Sequence, residues 1–162
     1  MKKLFYPLAA VIVIAVDQLT KSMVRSAMQP GDRIPVLGSW MSIFYVQNTG
    51  TAFSMFSGNR FVTVILTSAL IIACLVFIVQ ELRNGRCLVP LLLTFVAAGG
   101  LSNLIDRLTL GFVTDMISCG SFAVFNVADI FVTCGCILTV IAILVLYKDE
   151  DVTSGSKEGD QL

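Results

Sequence analysis

Four aspartates stand at the ends of long apolar stretches and are the clearest candidates for chemistry in this chain of 162 residues. They are Asp17, Asp106, Asp115 and Asp129. A charged side chain at membrane depth costs at least about 2.5–3.5 kcal/mol, so each one marks a candidate functional site. The chain has no histidine, which excludes Ser-His-Asp triads, Cys-His dyads and histidine-ligated zinc sites. Acid–base chemistry must therefore use carboxylates, lysine, cysteine, hydroxyl groups or a cofactor.

Asp115 and Asp129 are the pair that could act together. Two carboxyl groups in contact cannot both ionise, so they share one proton. The ionised member can take a proton from water while the protonated member donates to a peptide carbonyl, with no metal or organic cofactor. The 13 uncharged residues between them, with Gly120 inside, allow the chain to leave and return. The alternative is that backbone donors satisfy each carboxylate separately.

Two further pairs have the spacing of neighbours on a helix face. Asp17 and Lys21 are four residues apart and can form an ion pair, either as part of a site or as an ordinary helix-end pair. Asn103 and Arg107 have the same spacing. They either brace the fold or belong to the site, and bracing is favoured because arginine stays protonated and shuttles protons poorly.

Asn126 and Asp129 are three residues apart, so the amide of Asn126 can reach the surroundings of the Asp129 carboxylate. Asp106 has a simpler alternative, since it could be an exposed charge at a helix terminus. The five cysteines do not predict a metal or redox site, because three lie inside apolar spans, where cysteine behaves as a small hydrophobe. The other two are predicted on opposite sides of the membrane.

These residues need elements to position them, and the composition indicates a membrane. Apolar residues make up 56% of the chain, charged residues 14%, and the mean hydropathy is +0.88. A membrane-spanning helix needs about 20 mostly apolar residues. The sequence predicts an all-α integral membrane protein with four transmembrane helices at about 4–24, 61–80, 87–105 and 124–147. The first is expected to be retained, because no small-x-small cleavage site follows it.

The rest of the chain is assigned to one side or the other of that bundle. The first loop, 29–60, has β-branched and aromatic runs that predict short strands, hence a small extracytoplasmic β-sheet. Residues 1–147 form a single membrane-embedded domain, and 148–162 are predicted as a disordered cytoplasmic tail. Positive residues are denser on the side of the termini, which favours cytoplasmic termini and an extracytoplasmic site. Zero net charge gives no basic face for nucleic acid.

Five segments in order resemble the motifs of the bacterial lipoprotein signal peptidases, also called signal peptidase II. They are DQLTK (17–21), NTGTAFS (48–54), GGLSNLIDR (99–107), GFVTD (111–115) and FNVAD (125–129). One such segment is weak evidence, but five in order around four predicted spans are highly specific. The resemblance covers nearly all of the chain outside the tail.

The resemblance implies an aspartyl endopeptidase of the bacterial inner membrane. Such enzymes cut prolipoproteins before the lipobox cysteine that carries a diacylglyceryl group, and globomycin inhibits them. Asp115 and Asp129 match the catalytic pair, and the first-loop sheet matches the family's β-cradle. Supporting or substrate-positioning roles are implied for Asp17, Lys21, Asn48, Gly50, Asn103, Arg107, Asn126 and Ala128. The implied partners are the lipid-modified prolipoprotein and membrane lipids, and we expect a monomer.

Three positions depart from the family pattern: Thr51 stands where alanine is usual, Ser102 where glycine is usual, and Met116 where phenylalanine is common. These exchanges bear on substrate preference rather than on the chemistry. Two other classes of protein could also hold membrane carboxylates. One is a proton- or cation-coupled transporter, although the carboxylates gather at one membrane face. The other is a non-catalytic assembly subunit.

Overall fold

Four long helices form the body of the protein in the computed structural model, which describes residues 2–38, 40–50, 60–120 and 123–158. The helices are α1 Lys2–Ala27, α2 Arg60–Arg83, α3 Leu88–Thr109 and α4 Val127–Glu158. Each is long and apolar enough to cross a membrane. The prediction of four transmembrane helices is confirmed.

The fourth helix differs from its prediction at both ends. The predicted span began at 124, but Val124–Phe125 is a short strand and α4 starts at Val127. The helix continues to Glu158, through residues 148–158 of the predicted disordered tail. Extending a formed helix needs no new nucleation, so a polar segment can continue it. Residues 159–162 lie outside the described part of the chain.

α3 is the central helix of the bundle. It packs against α1, α2 and α4. In its most apolar stretch 61% of the residues are buried, compared with 11–22% in the corresponding stretches of the other helices. Glycines bring α3 and α4 close together. A methyl group on Gly99 would lie 2.6 Å from the carbonyl oxygen of Ala128, and one on Gly135 would lie 2.7 Å from a methyl of Val96. Small residues at such contacts let helices approach without a side chain between them.

The sheet has four antiparallel strands in the order β1-β2-β3-β4. They are β1 Arg33–Leu37, β2 Met41–Asn48, β3 Val113–Cys119 and β4 Val124–Phe125. The predicted first-loop strands correspond to β1 and β2, although residues 51–59 of that loop are not described. The sequence did not predict β3 and β4, which come from the connection between α3 and α4. The pairing of β3 with β2 is a contact distant in sequence, which local patterning does not show.

The two ends of the bundle differ in what closes them. The sheet lies between the end of α1 and the start of α2, and again between α3 and α4, so we name this the sheet end. A short connection between Arg83 and Leu88 joins α2 to α3 at the opposite end, the loop end. Toward the loop end, a cavity of about 690 Å³ lies between α1 and α2 over α3. Its wall is mostly apolar and includes Ala10, Ile14, Leu75, Ile78, Ala97 and Ala98.

Candidate active site

A buried lysine lies at the centre of the polar cluster at the sheet end. The Lys21 ammonium is 2.7 Å from a carboxylate oxygen of Asp17 and 3.2 Å from one of Asp106. It also donates a hydrogen bond of 2.8 Å to Oδ1 of Asn103. An ammonium has three N–H donors, and here each has a partner. The predicted Asp17–Lys21 pair is confirmed, and it is a fully buried pair rather than an exposed helix-end pair.

Asp17 connects α1 to the start of α4. Its Oδ1 accepts the backbone N–H of Ala128 at 2.8 Å, and its Oδ2 accepts the Ser102 hydroxyl at 2.7 Å. The first N–H groups of a helix have no partner within the helix, and an anion there also matches the helix dipole. Asp17 therefore serves as a cap for α4 supplied by another helix. Ala128, one of the predicted supporting residues, is thus held by its backbone N–H, and it is fully buried against Gly99 of α3.

Asp106 is buried rather than exposed, so the alternative of a surface charge at a helix terminus is wrong. It is 1% exposed. Besides Lys21, it accepts the side-chain amide of Gln18 at 2.9 Å and the backbone N–H of Thr114 at 3.2 Å. The sequence did not predict Gln18 as a partner. Its polar amide in an otherwise apolar span, directly after Asp17, was the signal available.

Two asparagine amides connect this cluster to the predicted pair. Asn103 on α3 accepts from Lys21 and donates from Nδ2 to Oδ1 of Asp129 at 2.8 Å. Asn126, just before α4, donates from Nδ2 to Oδ1 of Asp115 at 2.7 Å and to Oδ1 of Asn103 at 3.2 Å. Both amides are buried. They form a continuous hydrogen-bonded path from Lys21 to the two carboxylates.

Asp129 lies in the first turn of α4 and forms a reciprocal cap with Asn126. Its backbone N–H donates to Oδ1 of Asn126 at 3.0 Å, while its Oδ2 accepts the backbone N–H of Asn126 at 3.2 Å. This is the arrangement of a capping box, in which two otherwise unpaired backbone donors are satisfied together. The spacing of Asn126 and Asp129 predicted that they would be neighbours, and they are.

Asp115 lies in β3, beside an irregularity in its pairing with β2. Ile43 pairs with Ile117 and Val46 with Asp115, so β2 has one more residue than β3 between these pairs. A bulge of this kind bends the strand and redirects side chains, and bulges are common beside active sites. The Asp115 carboxylate accepts from Asn126 and, at 2.9 Å, from the side-chain amide of Asn48. Asp115 and Asp129 therefore both bind Asn126. This differs from the alternative in which backbone donors would satisfy each carboxylate separately.

The two carboxylates have different surroundings. Asp115 is 2% exposed, whereas Asp129 is partly exposed. Burial raises the pKa of Asp115 to about 6, and the hydrogen bond from Asn48 only partly opposes this effect. The negative charge of Asp129 raises the pKa of Asp115 further. Asp115 therefore retains a proton more readily than a carboxyl group in water does.

Gly50 holds Asn48 in place through a tight local turn. Its backbone N–H donates to Oδ1 of Asn48 at 2.9 Å, which leaves the Asn48 amide nitrogen for Asp115. The φ angle of Gly50 is 103°, a conformation that side chains rarely adopt. A methyl group there would also lie 3.1 Å from Thr63. The family position Gly50 is thus explained by the backbone rather than by chemistry.

Arg107 is the predicted site residue that the structure leaves outside the hydrogen-bonded network. Its guanidinium lies within electrostatic range of Asp129, Asp115 and Asp106. Within residues 2–38, 40–50, 60–120 and 123–158, it has no hydrogen bond or ion pair. The structure therefore does not show the bracing role that the sequence favoured. It leaves a half-buried cation beside the carboxylate pair.

The remaining candidates add little to the site. Ser102, a departure from the family pattern, bonds Asp17 and accepts from Gln18, while Met116 is buried in β3. Thr51 lies outside the described residues. The described chain contains no group of three or more Cys, Asp or Glu residues arranged to hold a metal ion.

Comparison with known proteins identifies the family. A model of the signal peptidase (SPase) II family matches residues 9–145. The chain belongs to the signal peptidase II family. It is 37% identical over 153 residues to the lipoprotein signal peptidase of Streptococcus thermophilus, covering 93% of this chain and 97% of that protein. It is 34% identical over 144 residues to that of Shouchella clausii, covering 88% and 95%. This family member is therefore a peptidase.

Two solved structures of bacterial membrane enzymes have the same fold. The one determined at 2.3 Å superposes with a TM-score of 0.78 at 32% identity, covering 86% of this chain and 87% of that chain. The one at 1.9 Å superposes with a TM-score of 0.77 at 32% identity, covering 86% and 92%. With the four apolar helices, these likenesses show that this signal peptidase II member is a multi-pass membrane protein.

Proposed function

We propose that this peptidase cleaves the signal peptide from diacylglyceryl-modified prolipoproteins and uses Asp115 and Asp129 as its catalytic pair. The observation that carries the proposal is that both carboxylates bind one residue, Asn126, although one is buried and the other is partly exposed. Two linked carboxyl groups in unequal surroundings favour a state with one proton between them. That state provides a base and an acid together.

The reaction follows from that shared proton. The ionised carboxylate takes a proton from water, and the water oxygen forms a bond to the carbonyl carbon of the scissile peptide. The protonated carboxyl gives its proton to the carbonyl oxygen, which yields a neutral tetrahedral intermediate. The carboxyl that took the water proton gives it to the amide nitrogen as the C–N bond breaks, while the other carboxylate takes back the proton of one hydroxyl of the intermediate, so that the pair again holds one proton. The products are a free carboxyl group on the signal peptide and a free amine on the lipid-modified cysteine.

The substrate brings its own membrane segment and lipid, so the pair must lie near a membrane face. We place the sheet end on the extracytoplasmic side and both termini in the cytoplasm, as the distribution of lysine and arginine favours. Arg107 then provides a cation beside the pair that can contact a substrate carbonyl. A monomer is sufficient, because one chain supplies both carboxylates and all the hydrogen bonds described above.

The geometry fits a peptidase better than a transporter. An ion path would need polar groups through the full depth of the bundle. The polar network described here is confined to the sheet end, and the cavity toward the loop end is lined mostly by apolar side chains. This arrangement supports chemistry at one membrane face.

Replacing each carboxyl group by an amide tests the proposal. We expect Asp115→Asn and Asp129→Asn each to lower turnover by at least about 10²–10⁴-fold, the usual contribution of general acid–base catalysis. The assay is cleavage of a diacylglyceryl-modified prolipoprotein by purified enzyme in detergent. Asp32→Asn is the matched control, because Asp32 is an exposed carboxylate in a turn before β1. Near-normal turnover by either variant of the pair, with folding intact, would refute the assignment.

A further inference from the structure

Lys21 contacts neither Asp115 nor Asp129, yet it determines which way a neighbouring amide points. Two of its N–H donors bind Asp17 and Asp106, and the third binds Oδ1 of Asn103. An ammonium can only donate, so the amide oxygen of Asn103 must face Lys21. The amide nitrogen of Asn103 must then face the other way, toward Asp129.

A second amide is oriented in the same manner. The backbone N–H of Asp129 can only donate, so it fixes the oxygen of Asn126 toward itself. The nitrogen of Asn126 then points at Asp115 and at the oxygen of Asn103. Neither amide can reverse without setting donor against donor in a buried space, which is costly.

The result is unequal for the two carboxylates. Asp129 receives a donor from Asn103 and one from the backbone of Asn126, and it lies at the positive end of the α4 dipole. Asp115 receives two side-chain amides but is more deeply buried, which disfavours its charged form. Burial disfavours the charged form of Asp115 and the helix terminus favours the charged form of Asp129, so both effects leave the proton on Asp115.

The other charged groups around Asp129 come from the helices and the strand packed against it. Asp115 approaches from β3, Arg107 from α3, and Lys21 with Asp17 from α1. Asp106 on α3 completes the set through its contact with Lys21. Of the two cations in this set, Lys21 has a hydrogen-bonded path to Asp129, through the side chain of Asn103, whereas Arg107 has none within the described residues.

We propose that Lys21 is a positioning residue for the peptidase reaction. Through Asn103 it holds a donor on Asp129, so that Asp129 is the ionised base that activates water and Asp115 carries the proton given to the carbonyl oxygen. This inference rests on the proposed function, and it adds the division of roles within the pair.

The first experiment removes the ammonium without changing the charge of the buried cluster. Lys21→Met alone would leave Asp17 and Asp106 without their cation, so it is combined with Asp17→Asn. The asparagine introduced at position 17 keeps a carbonyl for the N–H of Ala128 and an amide for the hydroxyl of Ser102. Asp17→Asn alone is the comparison variant, since Lys21 can still donate to Asn103. Its amide nitrogen takes the place of the oxygen that faces Lys21, so its unfolding is measured alongside its activity.

The readout is the pH dependence of kcat/KM on a diacylglyceryl-modified prolipoprotein. The acid limb reports ionisation of the base. In the double variant we expect the midpoint of the acid limb to move upward by about one pH unit, because Asp129 loses an ordered donor. At a pH on that limb, kcat/KM should fall about tenfold. In Asp17→Asn alone, the limb stays in place or moves downward. An acid limb at the same pH in both proteins would overturn the proposal.

A second experiment keeps the size of the side chain and remains informative if the double variant does not fold. Asn103→Asp still offers an acceptor to Lys21, but at neutral pH it presents a carboxylate to Asp129 in place of a donor. We expect activity at pH 7 to fall by about 100-fold or more and to rise again toward pH 5, where protonation restores an O–H donor. This trend is opposite to that of the wild-type acid limb. Asn103→Leu has no donor at any pH and should show no recovery.

The outcomes separate this inference from the proposed function. If the wild-type enzyme cleaves the prolipoprotein and both amide variants of the pair are inactive, the proposed function stands whatever the Lys21 variants do. If Asn103→Asp and Asn103→Leu have the same pH profile, Lys21 does not act through Asn103 and the inference is wrong.

Discussion

The sheet end and the loop end of the same bundle are held together in different ways. At the sheet end, α1 and α3 bury a lysine between two aspartates and connect it to Asn103. Toward the loop end, the same two helices and α2 leave a cavity of about 690 Å³ with a mostly apolar wall. A buried charge also occurs at the loop end, where the Glu81 carboxylate pairs with Arg86 at 3.2 Å. That pair joins two residues five apart in the chain, whereas the sheet-end cluster joins α1 to α3 and to the start of α4.

Stability alone does not account for the buried charges at the sheet end, because the free energy of desolvating an ion pair is often as large as the attraction between its charges. What the cluster gains is fixed geometry. Asp17 caps the first turn of α4 from α1, and that turn carries Asp129. Lys21 fixes the amide that binds Asp129. We infer that the sheet end retains its charges because they position the proposed catalytic pair, Asp115 and Asp129.

Removing one buried polar group from each end would test this contrast most severely. Asp17→Leu leaves Lys21 with one carboxylate fewer and α4 without its cap, so we expect a loss of about 3–5 kcal/mol in unfolding free energy. Thr94→Val is the loop-end counterpart. It removes a buried hydroxyl that bonds only the carbonyl of Pro90 on the same helix, and its cost should stay near 1 kcal/mol.

Denaturant titration in mixed micelles would measure both losses. The full-length enzyme is used for each variant, with helicity followed by circular dichroism. Similar losses for the two variants would mean that the sheet end is no more dependent on its polar contacts than the loop end. The contrast drawn here would then fail.

A pH dependence of stability is expected from the sheet end, where Asp115 is buried. A pKa of about 6 against an ordinary 3.8 corresponds to at most about 3 kcal/mol. Because the folded value is raised, this stability is fully present below about pH 4 and is lost as pH rises through about 6.

Comparison of the wild-type protein with Asp115→Asn isolates that effect. The amide cannot ionise, while other carboxylates titrate in both proteins. We therefore expect the Tm of the wild-type protein, measured relative to that of the variant, to fall between pH 4 and pH 7. A Tm difference that is constant over this range would show that Asp115 titrates in the folded protein as it does in the unfolded chain.

The sequence singled out most of the buried polar residues at the sheet end, though not β3 and β4, because charged side chains are unusual in membrane spans. The cost of membrane carboxylates singled out Asp17, Asp106, Asp115 and Asp129, and helical spacing paired Asp17 with Lys21. The order of the motifs then indicated the family. Each of these inferences needs only the identity of a residue and its distance along the chain.

Spacing could not predict the contacts that join distant segments. The bonds from Asp17 to Ala128 and from Asn48 to Asp115 span 111 and 67 residues. They depend on how α1 meets α4 and how β2 pairs with β3, which emerges only from packing. Arg107 shows a second limit of spacing. Its spacing from Asn103 favoured a brace, but within the described chain it has no hydrogen-bonded partner.

Adjacent glycines of α3 provide the finest comparison, because one faces the site and the other does not. A methyl group on Gly99 would lie 2.6 Å from the carbonyl oxygen of Ala128 and 2.8 Å from Val132. Gly100 faces α2, and its nearest neighbour would be a side-chain carbon of Ile71 at 3.4 Å, an ordinary contact. An added methyl group would therefore force the backbone of α4 to move at Gly99 but would fit in place at Gly100.

We expect Gly99→Ala to destabilise the protein by about 1–3 kcal/mol, as overpacking usually does. It should also lower kcat, because the backbone that must move belongs to the turn carrying Asp129, and a shift near 1 Å can cost about 100-fold. Gly100→Ala should keep wild-type turnover and gain up to about 1 kcal/mol from reduced freedom of the unfolded chain. Equal turnover in the two variants would show that the close α3–α4 contact serves packing alone and does not set the position of Asp129.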